Sequence, residues 1–223
     1  MEQHVAAGAA SLTVATAGGV PLRRGDHLCA FYRGRAERDR LVTPFLADGL
    51  RKGHVCALLA ADEGRVYREA LAAEVPSLGR AADRLLIRDP RDVYLRNGAF
   101  DGALDGALDG AFGGDGVGEG SGNGRPGLLR IAVDMSWAYP LVRPDFVREL
   151  VEHETRAASR PRACPQVGVR MYDLELFGGD LIIPMVKAHP RVWLSGMVVE
   201  NPYYLGQDLD PGPGSGPAGA VVN

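Results

Sequence analysis

Lysine is nearly missing from this chain. Lys52 and Lys187 are the only two among 223 residues, and neither precedes Ser or Thr. A phosphate loop of the GK[ST] kind needs that pair of residues to meet phosphate and magnesium, so nucleotide hydrolysis of that design is not expected. Cysteine is scarce and odd in number: Cys29, Cys56 and Cys164. That count does not build a disulfide framework, and free thiols inside apolar runs fit a reducing cytoplasm. No apolar run approaches the roughly 18 residues of a membrane span. The first residues lack the basic start and compact apolar centre of a signal peptide. Excess positive charge is missing too: the formal net charge is −3. A broad basic footprint for nucleic acid is therefore not expected. No HExxH run is present, since His153-Glu154 lacks the second histidine, and no Ser-His-Asp arrangement stands out. The sequence predicts no catalytic residue, no cofactor and no bound metal.

What is present suits one globular domain. Hydrophobic residues make up 46% and charged residues 24%, a balance that supports a packed core. Residues 1–22 are small and weakly patterned and read as a flexible arm. His27–Tyr32 (HLCAFY), His54–Ala60, Leu85–Arg88, Leu128–Asp134 (LLRIAVD), Val167–Tyr172 and Val192–Val199 read as strands, the last interrupted by Gly196. Between them, Arg35–Arg51, Val66–Val75, Pro144–Arg160 and Leu181–His189 carry helical spacing. Pro44 either kinks the first helix or marks its start. Strands alternating with helices predict an α/β layered fold with a mostly parallel sheet. Phe100, Leu104, Leu108 and Phe112 recur every four residues and predict a weak helix, which decays into a glycine-rich loop at 113–127. Asp101, Asp105 and Asp109 do not have the alternating ligand spacing of a calcium loop. Residues 206–223 read as a disordered tail.

Several residues stand out chemically. Arg33, Arg35 and Arg38 follow the first strand and either meet an anion or form a solvated basic turn. Asp134 ends a strong strand, with Ser136, Trp137 and Tyr139 directly after it. Trp137 there is either a ligand wall or a cap on the sheet. His27/Cys29 and His54/Cys56 each place two soft ligands on one strand face. Adjacent strands would make of them a zinc tetrahedron; otherwise they are buried thiols with histidines at strand starts. Glu154 lies on the apolar stripe of its helix and must be paired or line a cavity.

Read in order, GDHLCAFY, PFLADGLRKGH, VYLRNGAFD, LLRIAVDMSWAYP, LVEHET, MYDLELF and AHPRVWLSGMVVENPYY resemble the MEDS family, the methanogen/methylotroph DcmR sensory domain. The resemblance spans about Gly25 to Tyr204 and places the domain at 23–205. It implies a RecA-like three-layer α/β fold, similar to circadian-clock KaiC-like ATPases, with a degenerate phosphate loop. It implies a sensory role, with a small organic ligand of the hydrocarbon-derivative class and a separate regulatory protein partner (transcription regulator, kinase-like or anti-sigma type). Members occur alone or joined to output modules, and the chain reads as a stand-alone sensor. Positions matching the family are His27, Tyr32, Asp134, Trp137, Glu154, Tyr172, Asp173, His189, Asn201, Tyr203 and Tyr204, which are the expected ligand-binding residues. The chain departs from the family in its glycine-rich segment and in GVRM, where a cysteine near Tyr172 is expected. The alternative function is a degenerate RecA-like nucleotide-binding protein or ATPase. At the strand ends, the acids are expected to repel one another, raising at least one carboxyl pKa and favouring a cationic or hydrogen-bond-donating ligand.

Overall fold

The computed structural model describes residues 15–17, 19–61, 64–76, 79, 82–101, 128–159 and 165–206. The expected glycine-rich loop at 113–127 and the tail beyond residue 206 lie outside these, as does the predicted helix from Leu104 onward. Phe100, the first residue of its stripe, belongs to a short strand instead. Asp101 is paired with Arg96 at 2.9 Å.

Seven strands form the central sheet. In chain order they are β3 (His27–Tyr32), β4 (Val55–Leu59), β5 (Leu85–Arg88), β8 (Leu129–Asp134), β9 (Gln166–Asp173), β10 (Arg191–Leu194) and β11 (Met197–Glu200). Their spatial order is β11-β10-β3-β9-β8-β4-β5. All neighbours pair in parallel except β10 with β11. β3 and β8 are buried at every position, as parallel strands covered on both faces must be. Two small hairpins complete the strands: β1 (Ala15–Ala17) with β2 (Val20–Leu22), and β6 (Leu95–Arg96) with β7 (Ala99–Phe100). The first lies within the stretch read as an arm, and its Ala17 and Leu22 are buried in the core.

Among the described residues, the α-helices that flank the sheet are α1 (Gly34–Arg51), α2 (Gly64–Glu74), α3 (Arg91–Tyr94), α4 (Pro144–Ser159) and α5 (Gly179–Ala188). Among these described residues, no helix is long and apolar enough to cross a membrane. Strand side chains alternate between two cores. Leu28, Ala30, Leu58, Ala132 and Met171 point to α1 and α2. Cys29, Phe31, Ala57, Ile131, Val133 and Tyr172 point to α4 and α5. Pro44 sits inside α1 without ending it. The run predicted as one strand at Val192–Val199 is a hairpin, because Ser195 (φ 50°) and Gly196 (φ 79°) take the left-handed conformation of a tight reversal.

Arg130, near the start of β8, is fully buried on the α1 side. It donates to the Phe45 carbonyl at 2.7 Å, to Asp48 at 2.6 Å and to His54 Nδ1 at 3.0 Å. Gly49 makes room for it: a Cβ there would lie 2.7 Å from Arg130 Cδ and 2.8 Å from Cys56 Sγ. Three anchored hydrogen bonds keep that guanidinium from moving aside. Gly49→Ala should therefore destabilise the fold by about 1–3 kcal/mol through overpacking, although alanine favours a helix by about 1 kcal/mol. Urea unfolding checks the sign.

Burial, then the Arg130 and Lys52 charges, bring the His54 pKa from 6.5 down to about 4. Between those values the unfolded chain holds a proton that the folded chain does not. Stability is thus complete above pH 6.5 and is lost as pH falls toward 4. His54→Gln should lose less stability than the native chain between pH 7 and pH 5. Equal losses in urea titrations would count against this origin.

Candidate functional site

The residues expected to share one pocket divide between the two faces of the sheet. Tyr32, Asp134 and Asp173 end the three adjacent strands β3, β8 and β9. Crossovers change sides here: the helices after β3 and β4 cover one face, and those after β8 and β9 cover the other. Such a switch point is where open α/β sheets hold ligands. In this chain the groups there are engaged with one another. Tyr32 donates to Asp134 at 3.1 Å and meets Ser136 Oγ at 3.0 Å. Burial, then the Asp134 charge, pushes the Tyr32 phenol far up. Arg38, buried on α1, donates to the other Asp134 oxygen at 2.7 Å. Asp173 accepts from the backbone N–H of Gly34 at 3.3 Å and of Glu175 at 2.9 Å, fixing the entry to α1. Of the arginines proposed for an anion, Arg38 is thus spent on Asp134, while Arg33 and Arg35 are exposed.

The opposite face holds a deeper cluster. Glu154 comes from α4, His27 from the start of β3, Arg170 from the middle of β9, and His189 caps α5. None exposes more than 4% of its surface. Glu154 Oε2 lies 2.7 Å from His27 Nε2 and 3.6 Å from His189 Nε2. Its other oxygen accepts from Arg170 Nε at 3.2 Å. The two imidazoles stack, with centroids 4.7 Å apart and planes 9° apart. His189 Nδ1 lies 2.8 Å from the Met185 carbonyl, and Tyr172 donates to Met185 Sδ at 3.1 Å.

Burial pushes the Glu154 carboxyl up, yet Arg170, His189 and His27 together hold it well below its ordinary value. Burial dominates at His27 and drives its pKa down to about 3, so the ring is neutral. The expected mutual repulsion of acids is not what the fold builds. Asp134 and Glu154 lie on opposite faces and each has its own arginine, so the inferred preference for a cationic ligand loses its basis.

Beside this cluster runs an aromatic wall. Tyr94 of α3 meets Trp137 at 5.4 Å, Phe100 at 5.9 Å and His153 at 5.5 Å between centroids. Trp137 is 5% exposed, and its indole N–H has no partner among the described residues. Trp193 lies on the other face, 6.5 Å from Phe45. Asn201 belongs to neither group. Its amide donates to the Val186 and His189 carbonyls, closing the C-terminal end of α5, and Tyr203 is 71% exposed. Tyr204 follows it outside both clusters. The zinc tetrahedron from two H-x-C pairs does not form, because β9 and β8 separate β3 from β4. Cys29 and Cys56 are buried free thiols.

Arg170, Tyr94 and His153 escaped the sequence reading. Arg170 had a visible signal: a charge inside the apolar strand VGVRMYD, which requires a buried counter-charge.

Removing one partner of a buried ion pair strands the other, at a cost of about 3–5 kcal/mol. Glu154→Ala should show a loss of that size in chemical unfolding. The exposed i,i+4 pair Arg65–Glu69 provides the contrast: Glu69→Ala should change stability by less than about 0.5 kcal/mol.

Comparison with protein-family models matches residues 26–190 to MEDS, the MEthanogen/methylotroph, DcmR Sensory domain. Among curated proteins, the chain is similar to the transcriptional repressor DcmR of Methylorubrum extorquens (strain DSM 6343 / CIP 106787 / DM4). The two are 26% identical over 173 residues, which cover 77% of this chain and 60% of the repressor. The chain thus matches less than two thirds of that relative's length.

Proposed function

The chain belongs to the MEDS family of sensory domains, and on that premise we propose that it binds a small organic ligand and signals to a regulatory protein partner. The observation that carries this reading is the Glu154–His27–His189–Arg170 cluster, a buried polar group beside the aromatic wall of Tyr94 and Trp137. A mainly aromatic lining with a few fixed polar groups suits a small-molecule site. We place the ligand on this face, against Trp137. Binding moves a partner only if the ligand prefers one of two conformations, and α4 and α5, which close this face, are the elements it would bias. The related repressor's name supports a regulatory output.

The same proposal includes a RecA-like architecture, supported by parallel strands with helical crossovers on both faces. It also includes a degenerate phosphate loop. Only Arg33 separates β3 from α1, and Arg38 occupies the Asp134 carboxylate. A binding module fits this better than an ATPase, and free buried thiols fit a cytoplasmic setting.

Trp137 and Trp193 are the only tryptophans and lie on opposite faces, so fluorescence reports where a ligand sits. Short alcohols, amines and halogenated hydrocarbons should be titrated into the native chain, Trp137→Phe and Trp193→Phe. A responding compound should lose most of its signal in Trp137→Phe and keep it in Trp193→Phe. The reverse pattern would move the site to the α1 face. Failure of every compound to change either the emission or the melting temperature of the native chain would count against ligand sensing.

A further inference from the structure

The central sheet ends on β11, which has only β10 beside it among the described residues. Ser195 and Gly196 are both left-handed and form a two-residue reversal. In such a hairpin the flanking residues, Leu194 and Met197, are the hydrogen-bonded pair that closes the turn. The direction of hydrogen bonding alternates along an antiparallel strand. Met197 and Val199 therefore bond inward to β10. Asn201 keeps the same phase, since its N–H donates to the Pro190 carbonyl at 2.9 Å. The backbone N–H and C=O groups of Val198 and Glu200 consequently face outward, away from the sheet.

The side chains of this edge are unusually apolar for one that meets solvent. Leu194, Met197 and Val199 share a face of the hairpin with the buried Val192, in the cross-strand pairs Leu194–Met197 and Val192–Val199. The first three are between 46% and 62% exposed. Sheet edges are ordinarily guarded by lysine, proline, bulges or charges. β11 is short, but it holds no lysine, no proline and no bulge. Its one charge, Glu200, stands at its end and is met by Arg191 Nε at 3.1 Å.

We propose that β11 pairs antiparallel with β11 of a second copy of this chain, about a two-fold axis at Val198, joining the two sheets into one. Val198 then exchanges both of its outward backbone hydrogen bonds with the partner's Val198. The strand is self-complementary in this register. Met197 falls opposite the partner's Val199, so each hairpin pair extends into an apolar row of four: Leu194, Met197, the partner's Val199 and the partner's Val192. The equivalent row lies beside it. Glu200 falls opposite the partner's Gly196, so the two carboxylates do not meet, and Arg191 answers each within its own copy. Neighbouring registers break the rows. An axis at Met197 sets Val199 against the partner's Ser195, and one at Val199 sets Met197 against the partner's Asn201. A two-fold contact is closed, so assembly by this edge stops at two copies. Contacts below roughly 1,200 Å² make weak, transient pairs, and a four-residue edge belongs to that class. The pairing is independent of ligand sensing, which the Trp137 signal tests separately.

Sedimentation of the full chain from micromolar to millimolar concentration should show a reversible rise from one chain mass toward two. Met197→Glu and Val199→Lys change exposed positions, so each variant should fold like the native chain. Each alone should weaken the dimer at least about tenfold, because two charges then stand in the apolar rows. An equimolar mixture of the two should recover mixed dimers, since this register sets position 197 of one variant against position 199 of the other, where opposite charges attract. Amide hydrogen exchange gives a second readout. The Val198 amide should exchange faster than that of Val199 in dilute solution and should slow as concentration rises. A native chain that stays monomeric throughout overturns the proposal. Protection of Val198 that does not depend on concentration also overturns it, because another stretch of the same chain then covers β11. A mixture that dimerises no better than its components does so too, because the contact then lies elsewhere.

Discussion

A charge buried in a protein interior must be answered by another charge or by hydrogen bonds, and the two faces of this sheet are organised around that requirement. Arg130, near the start of β8, and Arg170, in the middle of β9, are exposed by no more than 1%. They point in opposite directions. Arg130 gathers Asp48, His54 and the Phe45 carbonyl, tying α1 to the strands beneath it. Arg170 answers Glu154, tying α4 to β9, and Glu154 reaches on to His27 and His189. Helices on each face are thus positioned by ionic anchors as well as by apolar contact. Such pairs are poor sources of net stability compared with hydrophobic packing. Their effect here is positional: each admits one placement of the helix that carries the acid.

The anchors explain why the candidate site residues form two clusters. A single pocket was the natural expectation from strand ends carrying Tyr32, Asp134, Tyr172 and Asp173. Alternation along a strand sends consecutive residues to opposite faces, so Tyr172 and Asp173 part company at once. At the switch point, Arg38 and Tyr32 close over Asp134. On the other face the polar groups converge more deeply, and two buried polar atoms, Trp137 Nε1 and His189 Nε2, have no hydrogen-bond partner among the described residues.

The layered α/β architecture was legible because its signals are local. HLCAFY, LLRIAVD and VGVRMYD are short, mostly apolar runs, and α1, α4 and α5 lie within a few residues of where spacing placed them. Glu154 was legible as a misfit, an acid on an apolar stripe that needs a partner. Which partner it has was not legible, because His27 is 127 residues away in sequence and strand adjacency is not encoded locally. The same gap let two H-x-C pairs look like one metal site, although two strands lie between them. Asn201 shows the converse. Its motif is specific in sequence, yet its side chain serves the end of α5, and a residue fixed for a cap reads like one fixed for a ligand.

The spatial order of the strands also sets an order in time. β3 emerges early from the ribosome, but its two neighbours in the sheet, β9 and β10, are the last parallel strands to be made. Until they arrive, the apolar edges of β3 have no partner, and contacts this distant in sequence slow folding. β4 and β5, adjacent in both sequence and space, can pair without them. The His27–Glu154–Arg170–His189 cluster draws on the first central strand and the final third of the chain, so no nascent fragment can assemble it. Its completion therefore marks a finished domain, and a truncated or stalled chain would hold His27 with nothing to answer it.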